Sequence, residues 1–261
     1  MAERDKILKY FKGSGDEELA ARLIDLAERA NRSNTFRVTE FLDPHGQNTA
    51  KIIAANFADI EFVTDGGFPN AERVKAAFVS DGFHGVPDFG MAAYLVAWDK
   101  RYYTLGHRDV LGAFMGMGCR REILGDIVLV PEGAQIVVDK AFCNYLESNL
   151  TAIGAANVTV TPLDRSELKA REEKVKTISA TVAALRLDAV AAAGYGTSRS
   201  RMADEIKSQN VKINWKEAKN AAQSVEEGDV ISFRGRGRVE LAEVRGTTKK
   251  GRFSITLKRY I

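Results

Sequence analysis

Cysteine is nearly missing from this chain: Cys119 and Cys143 stand 24 positions apart in 261 residues, with no CxxC and no neighbouring histidine. That spacing excludes a zinc site and a disulfide framework, and leaves two buried thiols in a reducing compartment as the expectation. Long apolar runs are missing too, since none approaches the ~20 residues of a membrane span. The opening MAERDKILKYFKG is charged and has no apolar core, so no signal peptide is expected. Only three histidines occur. His45 follows Pro44 at a helix start and should be exposed. His84 sits in a Gly-Phe-His-Gly-Val-Pro loop with no second ligand nearby, and should be structural or exposed. A phosphate-cradling glycine loop is also absent. Gly112, Gly116 and Gly118 lie within and after a helix rather than between a strand and a helix. Close packing or a helix end is their simpler account. No cofactor and no metal are expected.

What is present is ordinary for a soluble protein with real cores: 45% hydrophobic and 28% charged residues. The length suits about two domains, or three small ones. The net charge of +3 hides an asymmetry. Residues 186–261 carry sixteen basic and nine acidic residues, a net +7, whereas the remainder carries 22 and 26, a net −4. A basic C-terminal third on an acidic body is the footprint of a nucleic-acid-binding module. It is not a membrane signal, because the basic residues fall on strands and turns rather than along an amphipathic helix.

The first third reads as helical. Ile7, Leu8 and Phe11 share a face, and Ser14-Gly15-Asp16-Glu17 has the form of a capping box opening a second helix, with Leu19, Leu23 and Leu26 inward. Asp43-Pro44 opens a third. Ile60 and Phe62 alternate in a strand ending at Gly66-Gly67. From Ala71 the pattern becomes α/β. Val74, Ala76 and Phe78 alternate, as do Tyr94, Val96 and Trp98. A helix follows over 107–117 with Val110, Leu111, Phe114 and Met115 inward. A hairpin over 125–138 turns at Pro131-Glu132-Gly133, and a helix over 141–150 and a strand over 158–161 complete the run. Leaving out the first strand, the order βαββαβ is the split βαβ arrangement of RNA-recognition-motif (RRM) domains. Their base-stacking aromatic motif is absent. The charge-dense stretch 163–176 reads as a solvated linker or exposed helix.

The rest is organised around residues 186–214. A helix over 186–193 is expected to stop at Gly194. Thr197 or Ser198 then caps a second helix through Gln209. Arg199 and Arg201 occupy its first turn, where the helix dipole disfavours cations unless an anion docks there. Val211-Lys212-Ile213-Asn214 is a short strand, and 225–231 a turn feeding another. Val239 to Val244 and Arg252 to Leu257 read as paired strands, with Lys249 and Lys250 at their turn. Arg234-Gly235-Arg236-Gly237-Arg238 lies between apolar strands. It reads as a bent β-ribbon whose alternating arginines all point one way. Trp215 either stacks on a base or ribose or covers the core edge.

Arg186-Leu187-Asp188, Gly194, Ser198-Arg199-Ser200, Ile206, Val211, Ile213-Asn214, Val225 and Gly228-Asp229-Val230-Ile231 together resemble the RNA-binding domain of ribosomal small-subunit protein four, the S-four domain. Such domains usually have Gly after that Asn, where this chain has Trp215-Lys216. Asn-Trp-Lys, the Arg-Gly-Arg-Gly-Arg run and the 107–127 region together resemble the YlmH family of bacterial and plastid S-four proteins, across essentially the whole chain. The resemblance implies an α+β protein: a mainly helical N-terminal domain (1–72), an RRM-like middle domain (73–165) and a C-terminal S-four (α-L) domain with an extra β-hairpin (174–261). It implies a non-enzymatic factor that binds structured rRNA and tRNA at the large ribosomal subunit and handles stalled-translation complexes. A monomer in the bacterial cytoplasm, or in the stroma for a plastid relative, is expected, with no membrane partner.

The RNA-binding residues so implied are Arg186, Ser198, Arg199, Ser200, Arg201, Lys207, Lys212, Asn214, Trp215, Lys216, Arg234, Arg236 and Arg238. His107, Arg108, Arg120 and Arg121 are open to a secondary RNA role or a structural one. His107-Arg108-Asp109 has the form of a kinase catalytic loop, but Phe114 stands where that loop requires Asn. It also lacks the Leu of the pseudouridine-synthase His-Arg-Leu-Asp, and Asp109 is better placed as a helix-start anion. An S-four-targeted RNA-modifying enzyme, of pseudouridine-synthase or methyltransferase type, and a scaffold for cell division or photosystem assembly remain the alternatives.

Overall fold

Three helices, Ala2–Phe11 (α1), Glu17–Arg32 (α2) and Pro44–Ala54 (α3), form where the sequence places them in the computed structural model, which describes residues 2–169 and 175–260. Asp43 caps α3 through the Gly46 N–H at 2.9 Å, with Pro44 at the first helical position. The expected capping box at α2 takes another form. Asp16 is the N-cap, its side chain makes no capping bond, and the Glu17 carboxylate accepts from the Gly13 N–H at 2.6 Å. On α2 the buried side chains are Ala20, Leu23, Ile24, Ala27 and Ala30, with Leu19 and Leu26 only half-buried. His45 is half-buried rather than exposed, because its Nε2 lies 2.8 Å from Asp16 Oδ1 and ties α3 to the start of α2.

The helical reading of this third lacked one strand. Phe36–Leu42 (β1) joins Ile60–Asp65 (β2) and Val74–Ser80 (β3) in an antiparallel sheet of order β1-β3-β2. Every residue of β3 is buried. Its Ala76 and Phe78 meet Leu23, Ile24, Ile53 and Phe11 of the helices. The strand thus belongs to the first sheet, not to the split βαβ unit.

That second sheet is built from Met91–Trp98 (β4), His107–Gly116 (α4), Leu124–Val130 (β5), Gly133–Asp139 (β6), Cys143–Asn149 (α5), Ala152–Ile153 (β7) and Ala156–Leu163 (β8), in the order β5-β6-β4-β8-β7. Its first four strands have the split βαβ order. On α4, Val110 and Phe114 are buried, but Met115 faces solvent. Tyr94, Val96, Ile127 and Ile136 cover Val110, Phe114 and Leu146 on the helix side. On the other side Val128, Val130 and Val137 pack against Phe41 of β1, Phe68 and Leu168. Gly112 and Gly116 have no heavy atom within 4 Å of a notional Cβ, so close packing does not explain them, whereas Gly118, at φ +77°, ends the helix. Cys119 and Cys143 are half-exposed rather than buried.

The chain divides into two compact units, Met1–Arg171 and Glu172–Ile261. The expected linker charges Arg171, Glu172, Glu173 and Lys174 lie outside the described residues, and 165–167 form one short 3-10 turn. In the second unit Val175–Val182 (β9), Leu187–Tyr195 (α6), Arg199–Lys207 (α7), Val211–Ile213 (β10), Lys216–Glu217 (β11), Val230–Phe233 (β12), Gly237–Thr247 (β13) and Phe253–Tyr260 (β14) make a six-stranded sheet, order β11-β10-β12-β13-β14-β9. Both helices lie on one face over a core that includes Leu187, Val190, Tyr195, Met202, Ile231, Val239 and Leu257. Strand β9 was not expected, since its first residues fall inside the stretch read as linker. Among the described residues no helix is long and apolar enough to cross a membrane.

Candidate nucleic-acid interface

Helix α6 runs two residues past the expected end and stops at Gly196, whose φ of +62° is the left-handed conformation that a C-terminal glycine adopts at little cost. Gly194 is instead a contact residue: a Cβ there would stand 2.5 Å from Val239 Cγ1 of β13. Two residues after Gly196, Ser198 caps α7 by accepting the Arg201 N–H at 3.2 Å, and its hydroxyl lies 3.1 Å from that of Ser200. The first turn of α7 contains no acidic residue and two arginines. Hydroxyls, unpaired N–H groups and guanidinium charge thus converge at an exposed helix start, the chemistry that binds phosphate.

The two arginines differ. Arg199 Nη2 donates to Asp188 Oδ2 at 2.9 Å, and Arg186 donates to the same carboxylate through Nε and Nη2 at 3.2 and 3.0 Å. Asp188 is only 5% exposed. Its burial pushes the carboxyl up, and the hydrogen bonds and charges of Arg186 and Arg199 more than reverse this, holding it below the usual carboxylate range. Arg186 and Arg199 are therefore structural first, with outward surface left over. The exposed Arg201 side chain has no ion pair among the described residues.

Strands β10 and β11 are joined by Asn214 and Trp215, at φ +48° and +65°, between the paired Ile213 and Lys216. Two positive φ values in a two-residue loop are those of a type I′ turn, which favours Asn then Gly. Asn214 acts as a latch within the domain. Its Nδ2 donates to Asp229 at 2.7 Å and its Oδ1 accepts from the Val230 N–H at 2.9 Å. Trp215 sits in the glycine position, half-buried. Lys212 and Lys216 are exposed, and Lys207 closes α7, where the dipole favours a cation.

The arginine stripe takes a different form from the one expected. Arg234, Gly235 and Arg236 form the turn between β12 and β13, and Arg238 lies on β13 opposite Tyr260. Directly paired residues share a face of the sheet. Arg238, Ser232 and Lys212 thus line the face away from the helices, and Arg238 lies 5.2 Å from the Tyr260 ring. Arg236 lies on the helix side, 5.7 Å from the Phe233 ring, and reaches the Tyr195 carbonyl at 3.4 Å. Glycines at φ +80° bend the chain so that the arginines split between faces. Arg259, unremarked in the sequence, sits on the helix side 5.5 Å from the Tyr195 ring. Only its register opposite Val239 reveals it.

In the first unit, Arg121 Nη1 donates to the Leu124 and Gly125 carbonyls, and burial, with the like charge of Arg73 beside it, brings its guanidinium down to about 10. It stays charged at neutral pH beside Arg73, which ties the two sheets together by donating to the Leu124 and Phe41 carbonyls at 3.1 and 2.9 Å. Arg120 pairs with Glu40 of β1. Asp109 accepts the Gly106 N–H at 2.7 Å and caps α4. His107 and Arg108 are exposed at the start of that helix.

Three family models match: YlmH, N-terminal, over residues 15–81; the provisional RNA-binding domain in YlmH over 86–167; and the S4 domain over 185–231. The chain is 34% identical over 225 residues to the ribosome-associated protein quality control protein P2 of Bacillus subtilis (strain 168), covering 86% of this chain and 87% of that protein. A solved structure, the cell division protein ylmH from Streptococcus pneumoniae, superposes with a TM-score of 0.50 at 23% identity, over 59% of this chain and 93% of that one. At that identity the likeness concerns the fold alone.

Proposed function

The chain belongs to the YlmH family, and from that premise we propose that it is a non-enzymatic factor that grips structured rRNA or tRNA at the large ribosomal subunit and handles complexes left by stalled translation. The observation that carries this is the start of α7. There Ser198, Ser200 and Arg201, which has no ion pair among the described residues, meet exposed N–H groups on a region of net charge +7. The name of the Bacillus subtilis relative supports the ribosomal setting. Lys207, Lys212, Lys216, Arg234 and Arg236 widen the basic surface, and Arg186 and Arg199 present it through Asp188. A cytoplasmic monomer suits the reading.

In a low-salt sucrose gradient of cell lysate the protein should travel with free large subunits, more so when translation is stalled. Added salt or Arg201→Glu should release it, because phosphate contacts are lost as counterions compete. Incubation with rRNA should leave every nucleotide mass unchanged. Sedimentation at the top of the gradient under stalling, or with the small subunit alone, refutes the assignment.

A further inference from the structure

RNA-recognition-motif domains take unpaired RNA on the sheet face away from their helices, where aromatic rings stack bases. In this protein that face is filled. Val128, Val130 and Val137, with Met91 and Leu95, pack on Phe41, Phe68 and Leu168, and a Cβ at Gly67 would stand 2.9 Å from Val137. Any RNA contact made by residues 86–167 must use another surface.

The loop between β4 and α4 supplies one, and Asp99 builds it. Its carbonyl accepts the N–H groups of Tyr102 and Tyr103 at 3.3 and 3.1 Å. Its carboxylate accepts the Arg101 N–H at 3.0 Å and holds the guanidinium through Nε and Nη2 at 3.0 and 2.7 Å. So fixed, the Arg101 guanidinium lies 5.5 Å from the Tyr102 ring centroid. The ring is 76% exposed. A tyrosine so placed adds little to any core, yet its surroundings are already ordered, so a base stacking on it meets a preformed platform. Lys100 is spent on the loop itself, donating to the Val130 carbonyl and lying over Trp98. Arg108, exposed at the start of α4, has no ion pair among the described residues.

We propose that residues 99–108 are a second RNA contact, which stacks one unpaired base on Tyr102 and meets its flanking phosphates with Arg101 and Arg108. The contact rests on the RNA-binding reading above and adds to it a requirement for single-stranded RNA. A ring sandwiched between a cation and a base suits a nucleotide. An acidic peptide would use the cations and leave the ring idle.

The test uses the full chain and a single-stranded RNA of about twelve nucleotides carrying 4-thiouridine, a length within the usual footprint of such sites. Irradiation followed by peptide mass spectrometry should place an adduct within residues 99–108. Tyr102→Ala should weaken binding roughly tenfold, the scale of one lost stack. Tyr102→Phe should bind normally, and both should melt like the parent. Arg108→Ala should reduce the salt slope by about one phosphate. Adducts confined to the start of α7, with Tyr102→Ala binding unchanged, overturn this inference and leave the proposed function standing. A lowered melting temperature in Tyr102→Ala makes the ring a packing residue and also overturns it. Adducts nowhere, with Arg201→Glu indifferent as well, remove both.

Discussion

Arg199 and Arg201 carry the same sequence signal, two guanidiniums in one helical turn, and only the structure separates them. Asp188 does so, a buried carboxylate holding Arg186 and Arg199 at once. Removing Arg199 leaves that carboxylate half-compensated, so Arg199→Ala should destabilise the C-terminal unit by about 1–2 kcal/mol. For a unit of this size that lowers its melting temperature by roughly 5–15 °C. Arg201→Ala should leave melting unchanged and weaken RNA binding about tenfold. A melting loss in Arg201→Ala equal to that in Arg199→Ala would erase the distinction. The same hub sets a pH dependence. The folded Asp188 carboxyl lies below its ordinary value, so its stabilisation is fully present above the unfolded value of about 4 and is lost as pH falls through the folded value. Acid melts of the parent and Asp188→Asn should converge below that value and diverge above it. Parallel curves throughout would deny Asp188 the role.

Among the elements, those specified locally were legible. Asp43-Pro44, the alternating 91–98 strand and Ser198 mark their own ends by side-chain chemistry. The misplaced ends depended on distant partners. Gly194 reads as a helix stop, but it is small because Val239 crosses α6 there, a contact between residues 45 positions apart. Strand β1 escaped because its register shifts between Val38 and Phe41, which breaks the period-two pattern, and because the buried Thr39 hydroxyl accepts the Ala76 N–H at 2.9 Å. Likewise the arginine stripe was legible as sequence but not as a surface, since two positive-φ glycines redirect it. This account of Gly194 has a test. Gly194→Ala should cost about 1–3 kcal/mol by overpacking against Val239. Gly112→Ala, also inside a helix but with nothing within 4 Å, should gain up to about 1 kcal/mol from helix propensity. Equal shifts of the same sign in thermal melts would mean that packing does not distinguish them.

At the scale of the whole molecule, charge and fold divide at the same place: a unit ending at Arg171 and a basic one beginning at Glu172. A ligand that binds only the folded form of one unit stabilises that unit by mass action, by about 2.7 kcal/mol at a hundredfold excess over the dissociation constant. Blunt duplex RNA offers phosphates to the start of α7 but no unpaired base for Tyr102. Hydrogen exchange with saturating duplex should therefore slow at the most protected core amides of α6 and α7, such as Val190 and Met202. Amides of β3, such as Ala76 and Phe78, should exchange as before. Salt sufficient to strip the RNA should return the α6 and α7 amides to their free rates, because the contact is made through phosphates. Slowing spread evenly over both units would mean that the two units open together. Slowing confined to β4 and β6 would put the duplex on the middle sheet and not on the S4 domain.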